Sequence, residues 1–308
     1  MNYRKLGTSD IMVSSVVLGT MATGGAFGKP DDDASIRTMH AILDAGVNMI
    51  DTAQPYGAGH AEEIVGKAIK GRRDKVYIAT KCGTLVKDGN RNRIATKESL
   101  RAQLEGSLKR LDIDYIDLYQ MHWPVLTTPF EESFTELAKF RKEGKIRYIG
   151  VSNFSPEQMD EVKNYCGIVS LQPPYSLVDR RIEAEILPYC EKNNIGTLTY
   201  GSIGGGVLSG KFRERPVFDG SDTRNENGFY SEIFSEENWP KTAAVVENLR
   251  AVAERRGLPM VQVALAWVIA RCTVALVGAK TPEQALMNAK AADILLTPDD
   301  MAALNKIF

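Results

Sequence analysis

The stretch Val47-Asn48-Met49-Ile50-Asp51-Thr52-Ala53-Gln54-Pro55-Tyr56-Gly57 decides how the rest of the chain is read. Its apolar run, Val47 to Ile50, is bounded by turn residues, which marks a short buried strand. The run ends on a carboxylate, Asp51. A loop punctuated by Pro55 and Gly57 then delivers the phenol of Tyr56, and a helix-start pattern follows from His60. Such a strand sets two ionisable groups at the lip of whatever buries it. A capped strand beside an ordinary loop tyrosine would look the same, so the other strand ends decide.

Outward from this stretch the same unit recurs: a short β-branched run, a loop, then an amphipathic helical segment. The runs are Ser15–Gly19, Val47–Asp51, Lys75–Lys81, Tyr115–His122, Ile146–Ser152, Ile168–Gln172, Gly196–Tyr200 and Thr273–Gly278. Between them, Asp33–Ala45 carries Ile36, Met39, Ile42 and Leu43 on a helical spacing, and Thr96–Leu111 carries Leu100, Leu104, Leu108 and Leu111 behind a Thr96 cap. Ser155-Pro156, Thr281-Pro282 and Thr297-Pro298 each place proline at a first helical position. Alternating units imply a parallel sheet, and eight of them in 308 residues favour a closed (β/α)8 TIM barrel, an α/β fold, over an open sheet. An open dinucleotide-binding sheet would carry GxGxxG after its first strand. Here Gly19-Thr20-Met21-Ala22-Thr23-Gly24-Gly25 has the wrong spacing. One barrel domain over 1–308 is expected, opened by a β-hairpin (Tyr3–Leu6 and Ile11–Val13) and closed by a C-terminal helix after Thr297. One connection is long, Ser202 to about Trp239, with Phe229, Tyr230 and Phe234 in it; a loop of that length is functional or disordered.

Composition bounds the partners. The chain is 44% hydrophobic and 25% charged, as a globular protein is, and its formal net charge of -1 offers no footprint for nucleic acid or an anionic membrane. A small-molecule partner is expected, with the oligomeric state open. Met1-Asn2-Tyr3-Arg4-Lys5 leads into no signal-peptide core, and the longest apolar stretch, Val261–Ala270, is too short to span a bilayer. Cys82, Cys166, Cys190 and Cys272 are scattered, which fits reduced thiols in a cytoplasmic protein. Cys82, beside Lys81, reads either as a redox-sensitive thiol or as a buried structural one. With three histidines in all, no metal centre is expected.

In a (β/α)8 barrel the C-terminal strand ends share one mouth. Those ends carry Asp51, Lys81, His122, Ser152-Asn153, Gln172, Tyr200 and Gly278. The chemistry joining them is proton transfer. A free phenol titrates near about 10, so Lys81 would have to favour the phenolate of Tyr56, with Asp51 holding that ammonium by a charge-assisted hydrogen bond. His122 would polarise a carbonyl oxygen from the other side. Such a site protonates an oxygen becoming an alkoxide. It supplies no hydride, so a cofactor must.

Four blocks together resemble the aldo-keto reductases: Asp51-Thr52-Ala53-Gln54-Pro55-Tyr56-Gly57, Ile78-Ala79-Thr80-Lys81, Leu118-Tyr119-Gln120-Met121-His122-Trp123-Pro124 and Ile149-Gly150-Val151-Ser152-Asn153-Phe154. The likeness runs from Tyr3 to Thr297, on the branch of bacterial general aldehyde reductases and inositol dehydrogenases, akin to potassium-channel β subunits. It implies a catalytic tetrad of Asp51, Tyr56, Lys81 and His122, with Tyr56 as general acid in reduction and base in alcohol oxidation. It also implies Ser152, Asn153 and Gln172 on a nicotinamide carboxamide, with Tyr200 stacked on the ring. Within Tyr200–Lys211, which resembles the family's pyrophosphate loop, Gly201, Ser202, Gly204, Gly206, Leu208 and Lys211 are the implied contacts. Gly278 to Asn288 resembles the adenosine-phosphate block: Lys280 and Thr281 toward a 2′-phosphate, Gln284 and Asn288 near adenine. The cofactor implied is NADP(H), with NAD(H) as the alternative.

The chain departs from that pattern in places. Gln284 stands where strongly NADP-preferring members have Arg, and Gly278-Ala279 where they have Lys-Ser; glutamine cannot grip a phosphate bidentately. Gly201 and Ala61 stand where many members have Ser, and Val125 where Asp is frequent. Substrate contacts are expected from Met21, Phe27, Trp123 and the Ser202–Trp239 loop. These stretches carry no basic cluster, so a neutral aldehyde, ketone or polyhydroxy carbonyl is expected. Two other readings compete. One is a cofactor-sensing binding protein of the channel β-subunit type; the other is aldolase chemistry with Lys81 as a Schiff-base nucleophile, which a lysine kept charged by Asp51 would not serve.

Overall fold

The fold is described from a computed structural model, covering residues 1–87, 89–218, 222–225 and 228–306. It opens with an antiparallel hairpin, β1 (Tyr3–Lys5) and β2 (Met12–Ser14). Four barrel strands and a second hairpin follow: β3 (Val16–Gly19), β4 (Met49–Asp51), β5 (Tyr77–Cys82), the hairpin β6 (Thr84–Lys87) and β7 (Asn90–Arg93), then β8 (Ile116–Met121). The remaining strands are β9 (Ile146–Ser152), β10 (Ser170–Gln172), β11 (Gly196–Thr199) and β12 (Val274–Gly278). Eight of these form a closed, all-parallel barrel in the order β10-β11-β12-β3-β4-β5-β8-β9, with β9 pairing back onto β10. This is the (β/α)8 barrel expected, each strand starting or ending within about two residues of its apolar run, as frayed ends do.

Helices wrap the outside: α1 (Asp32–Asp44), α2 (His60–Ile69), α3 (Lys97–Leu111), α4 (Phe130–Lys142), α5 (Pro156–Val162) and α6 (Ile186–Lys192). The second half adds α7 (Ser231–Phe234), α8 (Trp239–Arg256), α9 (Met260–Ile269), α10 (Pro282–Ala289) and α11 (Pro298–Asn305). Their starts follow local chemistry. Asp31, Thr96 and Thr281 each accept the backbone N–H three residues on, while Ser155 with Gln158 and Thr297 with Asp300 form full capping boxes. Asp31 is the cap, so α1 begins one residue before the expected Asp33. Among the described residues no helix is long and apolar enough to cross a membrane.

Strand parity sets the two faces of the barrel wall. Val17, Met49, Ala79, Leu118, Leu198, Val274 and Leu276 pack together inside, joined by Leu6, Ile11 and Val13 of the N-terminal hairpin, which plugs the bottom. Their neighbours Val16, Leu18, Ile50, Ile78, Tyr119, Ala275 and Val277 face the helices. Two steps beyond an inward residue is inward again, so Met49 implies Asp51, Ala79 implies Lys81, Leu118 implies Gln120 and His122, and Leu198 implies Tyr200. The polar layer thus sits directly above the apolar filling.

Two features differ from the expectation. Thr84–Lys87 and Asn90–Arg93 pair as a β-hairpin that the apolar runs did not reveal, although Asp88-Gly89 in the sequence is a turn pair. The long connection after β11 holds a 3-10 turn (Gly204–Ser209) and α7; its residues 219–221 and 226–227 lie outside the described ones.

Leu6 is wholly buried in the plug. Leu6→Ala should lower unfolding free energy by about 3 kcal/mol through the cavity it leaves, read by urea denaturation with fluorescence. A loss below about 1 kcal/mol would mean that the hairpin contributes little to closing the barrel.

Candidate active site

Asp51, at the end of β4, is buried and makes three side-chain bonds, each to a different strand. Its Oδ1 accepts from Lys81 Nζ at 2.5 Å, and its Oδ2 from Gln172 Nε2 at 2.9 Å and Gln120 Nε2 at 3.1 Å. Lys81 Nζ also donates to Thr52 O at 2.9 Å. Burial works to lower the lysine's pKa, but Asp51 and then Tyr56 outweigh it and hold Lys81 above its ordinary value. Lys81 is therefore a charged group beneath the cavity floor, with no exposed side chain and no place in the cavity wall. A Schiff-base nucleophile needs the opposite on both counts.

Tyr56 is delivered by a 3-10 turn in which Gly57 and Ala58 take left-handed φ of 64° and 53°. Gly24, in the loop after β3, lies under that turn; a Cβ there would stand 2.5 Å from Tyr56 C, so the approach needs glycine. Lys81 Nζ sits 5.2 Å from the Tyr56 ring centroid. Burial is the largest influence on the phenol and raises its pKa; Lys81 pulls it down, and the net result stays above 10.0. The depressed phenol expected from the sequence is thus not what this state holds, because desolvation of the phenolate exceeds the ammonium's attraction. The ring of His122 meets that of Tyr56 edge to face, centroids 6.2 Å apart. Burial first, then Lys81, Arg91 and Arg93, pushes the imidazole well below 6.5, so it is neutral. Its Nδ1 is buried without a hydrogen-bond partner among the described residues.

Asp51, Tyr56 and His122 open into a cavity of about 410 Å³. Of the residues expected at a cofactor or substrate, Met21, Phe27, Trp123, Ser152, Asn153, Gln172, Tyr200, Gly201, Ser202, Gly206, Lys211, Gly278, Lys280 and Gln284 line it. Gly204, Leu208, Thr281 and Asn288 do not. Gly204 and Leu208 are packed inside the 3-10 turn, Thr281 caps α10, and Asn288 donates to Gly278 O at 3.2 Å, bracing the strand end from behind. Gln172 spends its amide nitrogen on Asp51 and Gln120. Asn153, itself at φ 63°, donates to His122 O and Ser152 Oγ and accepts from Tyr200 Oη at 2.8 Å. Gln284 turns back, its Oε1 accepting from Lys280 N at 2.9 Å.

The far end of the cavity is cationic. Burial, then Arg224 and Lys280, lowers the Lys211 pKa, so the three cations crowd one another. Arg224 is bonded to Asp222 and Lys280 Nζ donates to Phe27 O at 2.5 Å. Thr223 N donates to Ala26 O at 3.3 Å, so the loop after β11 meets the loop after β3 over the cavity. The lining residues not singled out from the sequence include Arg91, Arg224, Ile203 and Thr223. Phe229 and Tyr230 were visible as aromatics of the long loop, and the Asp88-Gly89 pair was the one signal for the hairpin that carries Arg91. Nothing local marked Arg224.

The donors around the cavity suit a dinucleotide. Gly205 and Gly206 have φ of 62° and 96°, and a Cβ on Gly206 would stand 3.3 Å from Lys211 Nζ, so the turn leaves bare backbone beside a cation. Cations at one end and amides, a phenol and an imidazole at the other fit a phosphate-bearing redox cofactor. Cys82 is buried, its thiol raised by burial, and all four cysteines are buried and free, so the structural reading of Cys82 holds. Among the described residues no group of His, Cys, Asp and Glu could hold a metal.

Residues 15–308 match the family model described as the Aldo/keto reductase family. Aldo-keto reductase YhdN of Bacillus subtilis is 40% identical over all of this chain and 93% of its own length. The NADH-specific methylglyoxal reductase of Escherichia coli is 34% identical over 98% of this chain and 97% of its own. A solved glycerol dehydrogenase from Gluconobacter oxydans superposes with a TM-score of 0.91 at 40% identity, covering 99% of this chain and 94% of that one.

Asp51→Asn should strand the Lys81 ammonium in the core and cost about 3 kcal/mol at neutral pH. Without Asp51 the folded lysine binds its proton less tightly than the unfolded one, so the variant should regain stability as pH rises. Urea unfolding at several pH values measures this; a deficit independent of pH would mean that Lys81 was not carrying the charge.

Proposed function

The chain belongs to the aldo/keto reductase family, and on that premise we propose that it reversibly reduces an aldehyde, ketone or sugar-like carbonyl with NADP(H), the proton coming from Tyr56. The family makes it a nicotinamide-dependent oxidoreductase acting on carbonyl compounds. The observation that carries the finer reading is one buried arrangement: a phenol and a neutral imidazole facing one cavity, with a lysine kept charged by Asp51 behind the phenol. A nicotinamide cofactor, which Tyr200 would help to hold, would supply the hydride. Tyr56 gives its proton to the carbonyl oxygen as that oxygen gains charge, and the ammonium of Lys81 stabilises the phenolate left behind. Neutral His122 can donate a hydrogen bond to the same oxygen and hold it toward Tyr56. In alcohol oxidation the roles reverse.

Ser152, Asn153 and Gln172 would hold the carboxamide, and Lys211 with the glycine turn would hold the pyrophosphate. Lys280 would favour a 2′-phosphate, while Thr281 is used as the cap of α10. Gln284, committed to the Lys280 backbone, adds no grip, so NAD(H) is accepted as a second coenzyme. The name of the Escherichia coli relative, an NADH-specific enzyme, supports that secondary use, and the glycerol dehydrogenase supports small polyols and their carbonyl partners as substrates.

Two experiments test this. A phenol held above 10.0 keeps its proton through neutrality, and an imidazole held well below 6.5 has none to lose there. Reductive kcat/KM with an aromatic aldehyde should therefore stay level across roughly pH 6–9 and fall only in stronger alkali. Tyr56→Phe should lose at least about 100-fold in turnover while still binding coenzyme. An acid limb near 6.5, or near-normal turnover in the variant, would remove His122 or Tyr56 from its role. Second, Lys280→Ala should weaken NADPH about tenfold more than NADH in fluorescence titration; equal weakening would displace Lys280 from the phosphate.

A further inference from the structure

The hairpin β6–β7 is keyed to the catalytic loop. Gln54, two residues before Tyr56, donates from Nε2 to Val86 O at 3.2 Å and accepts from Val86 N at 2.9 Å. Val86 stands opposite Arg91 in the register, so the clamp fixes the point where Arg91 leaves the strand. Arg91 and Arg93 are two apart and share a face. Arg91 lines the cavity with Tyr56, His122 and Trp123, and the Arg93 guanidinium lies 4.6 Å from the Trp123 ring centroid.

The two ends of the cavity are charged separately. Lys211 feels Arg224, Lys280 and Asp222, whereas Tyr56 and His122 feel Arg91, and His122 also Arg93. Among the described residues neither Arg91 nor Arg93 has a carboxylate partner, and the Arg91 guanidinium makes no hydrogen bond, while that of Arg93 rests on Trp123. Among the described residues Asp51 is the one carboxylate in the cavity wall, and both its oxygens are taken by Lys81, Gln120 and Gln172. A guanidinium beside the reacting groups, with its fork unfilled, is a receptor for an oxyanion.

We propose that Arg91 is a specificity residue that selects carbonyl substrates bearing an anionic group, a carboxylate or a phosphate. This replaces the neutral carbonyl expected from the loops alone with an anionic one, and it rests on the reductase reading above. The anion binds the Arg91 guanidinium, with Arg93 adding charge over Trp123, while the carbonyl reaches Tyr56 and His122. The three cations at the far end stay with the cofactor's phosphates.

The test uses matched pairs on the whole enzyme: 4-carboxybenzaldehyde against its methyl ester, and glyceraldehyde 3-phosphate against glyceraldehyde. The ratio of kcat/KM, charged over neutral, should exceed one by about tenfold or more at low salt, carried by KM. It should shrink as salt rises. Arg91→Gln should bring the ratio toward one, and Arg91→Lys should keep part of it. The pair with the larger ratio distinguishes carboxylate from phosphate. A wild-type ratio near one in both pairs, or a ratio that Arg91→Gln leaves unmoved, overturns the proposal. A second readout needs no turnover. Phenylacetate should quench Trp123 fluorescence at lower concentration than phenylacetamide in the wild type, with about equal concentrations in Arg91→Gln. Absence of any Tyr56-dependent turnover would defeat the reductase reading, whereas this titration judges the anion site by itself: a preference for the acid that Arg91→Gln abolishes supports it, and equal quenching in the wild type ends it.

Discussion

The buried contact between Asp51 and Lys81 is the constraint on which the rest of the site depends. An ammonium wholly out of water is tolerated only where a carboxylate and further acceptors replace its hydration. Asp51 at 2.5 Å and Thr52 O at 2.9 Å do so. The carboxylate's second oxygen is satisfied by Gln120 and Gln172, so one aspartate joins four barrel strands, β4, β5, β8 and β10. The charge can therefore be used without being exposed. It lies behind Tyr56 rather than in the cavity, where it acts on a phenol by field rather than on a substrate by contact.

That placement follows from parity and closure together. Each inward strand residue is apolar in the lower barrel and polar one step up, so Met49 leads to Asp51, Ala79 to Lys81 and Leu118 to Gln120 and His122. Closing the sheet brings these ends to one mouth. The same low dielectric that makes the Asp51–Lys81 pair strong also raises Tyr56 and neutralises His122. Burial thus prepares a protonated acid and an uncharged hydrogen-bond donor at neutral pH.

Above the strand ends, the loops divide the cavity by charge. Lys211, Arg224 and Lys280 gather at one end, drawn there by the glycine turn after β11, the returning loop and the start of α10. Arg91 stands at the other, held by the Gln54 clamp. Three loops meet over the cavity, the loop after β3 touching the one after β11 where Thr223 meets Ala26 and the one after β12 where Lys280 meets Phe27. Asp51 and Lys81 belong to the strands between these ends, and Tyr56 to the turn that follows β4.

The sequence alone determined the barrel, its eight strands and the polar residues at their ends, because these are local signals: β-branched runs, capping residues and prolines whose spacing needs no knowledge of distant partners. It also supplied the pairing of Asp51 with Lys81, since opposite charges at neighbouring strand ends in one mouth have few other solutions. Tertiary structure decided what depends on burial and long-range approach. Whether Lys81 lowers the phenol of Tyr56 below its ordinary value is a contest between an ammonium and desolvation, and only the packed core sets the second. That Gln284 turns back on Lys280, and that Thr281 and Asn288 stay out of the cavity wall, depends on side-chain direction along α10 and at its cap. Arg91 and Arg224 lie 133 residues apart, counting 91 to 224, and share one cavity wall. No periodicity records that contact, because loop positions are set by what the barrel holds them against rather than by their own residues.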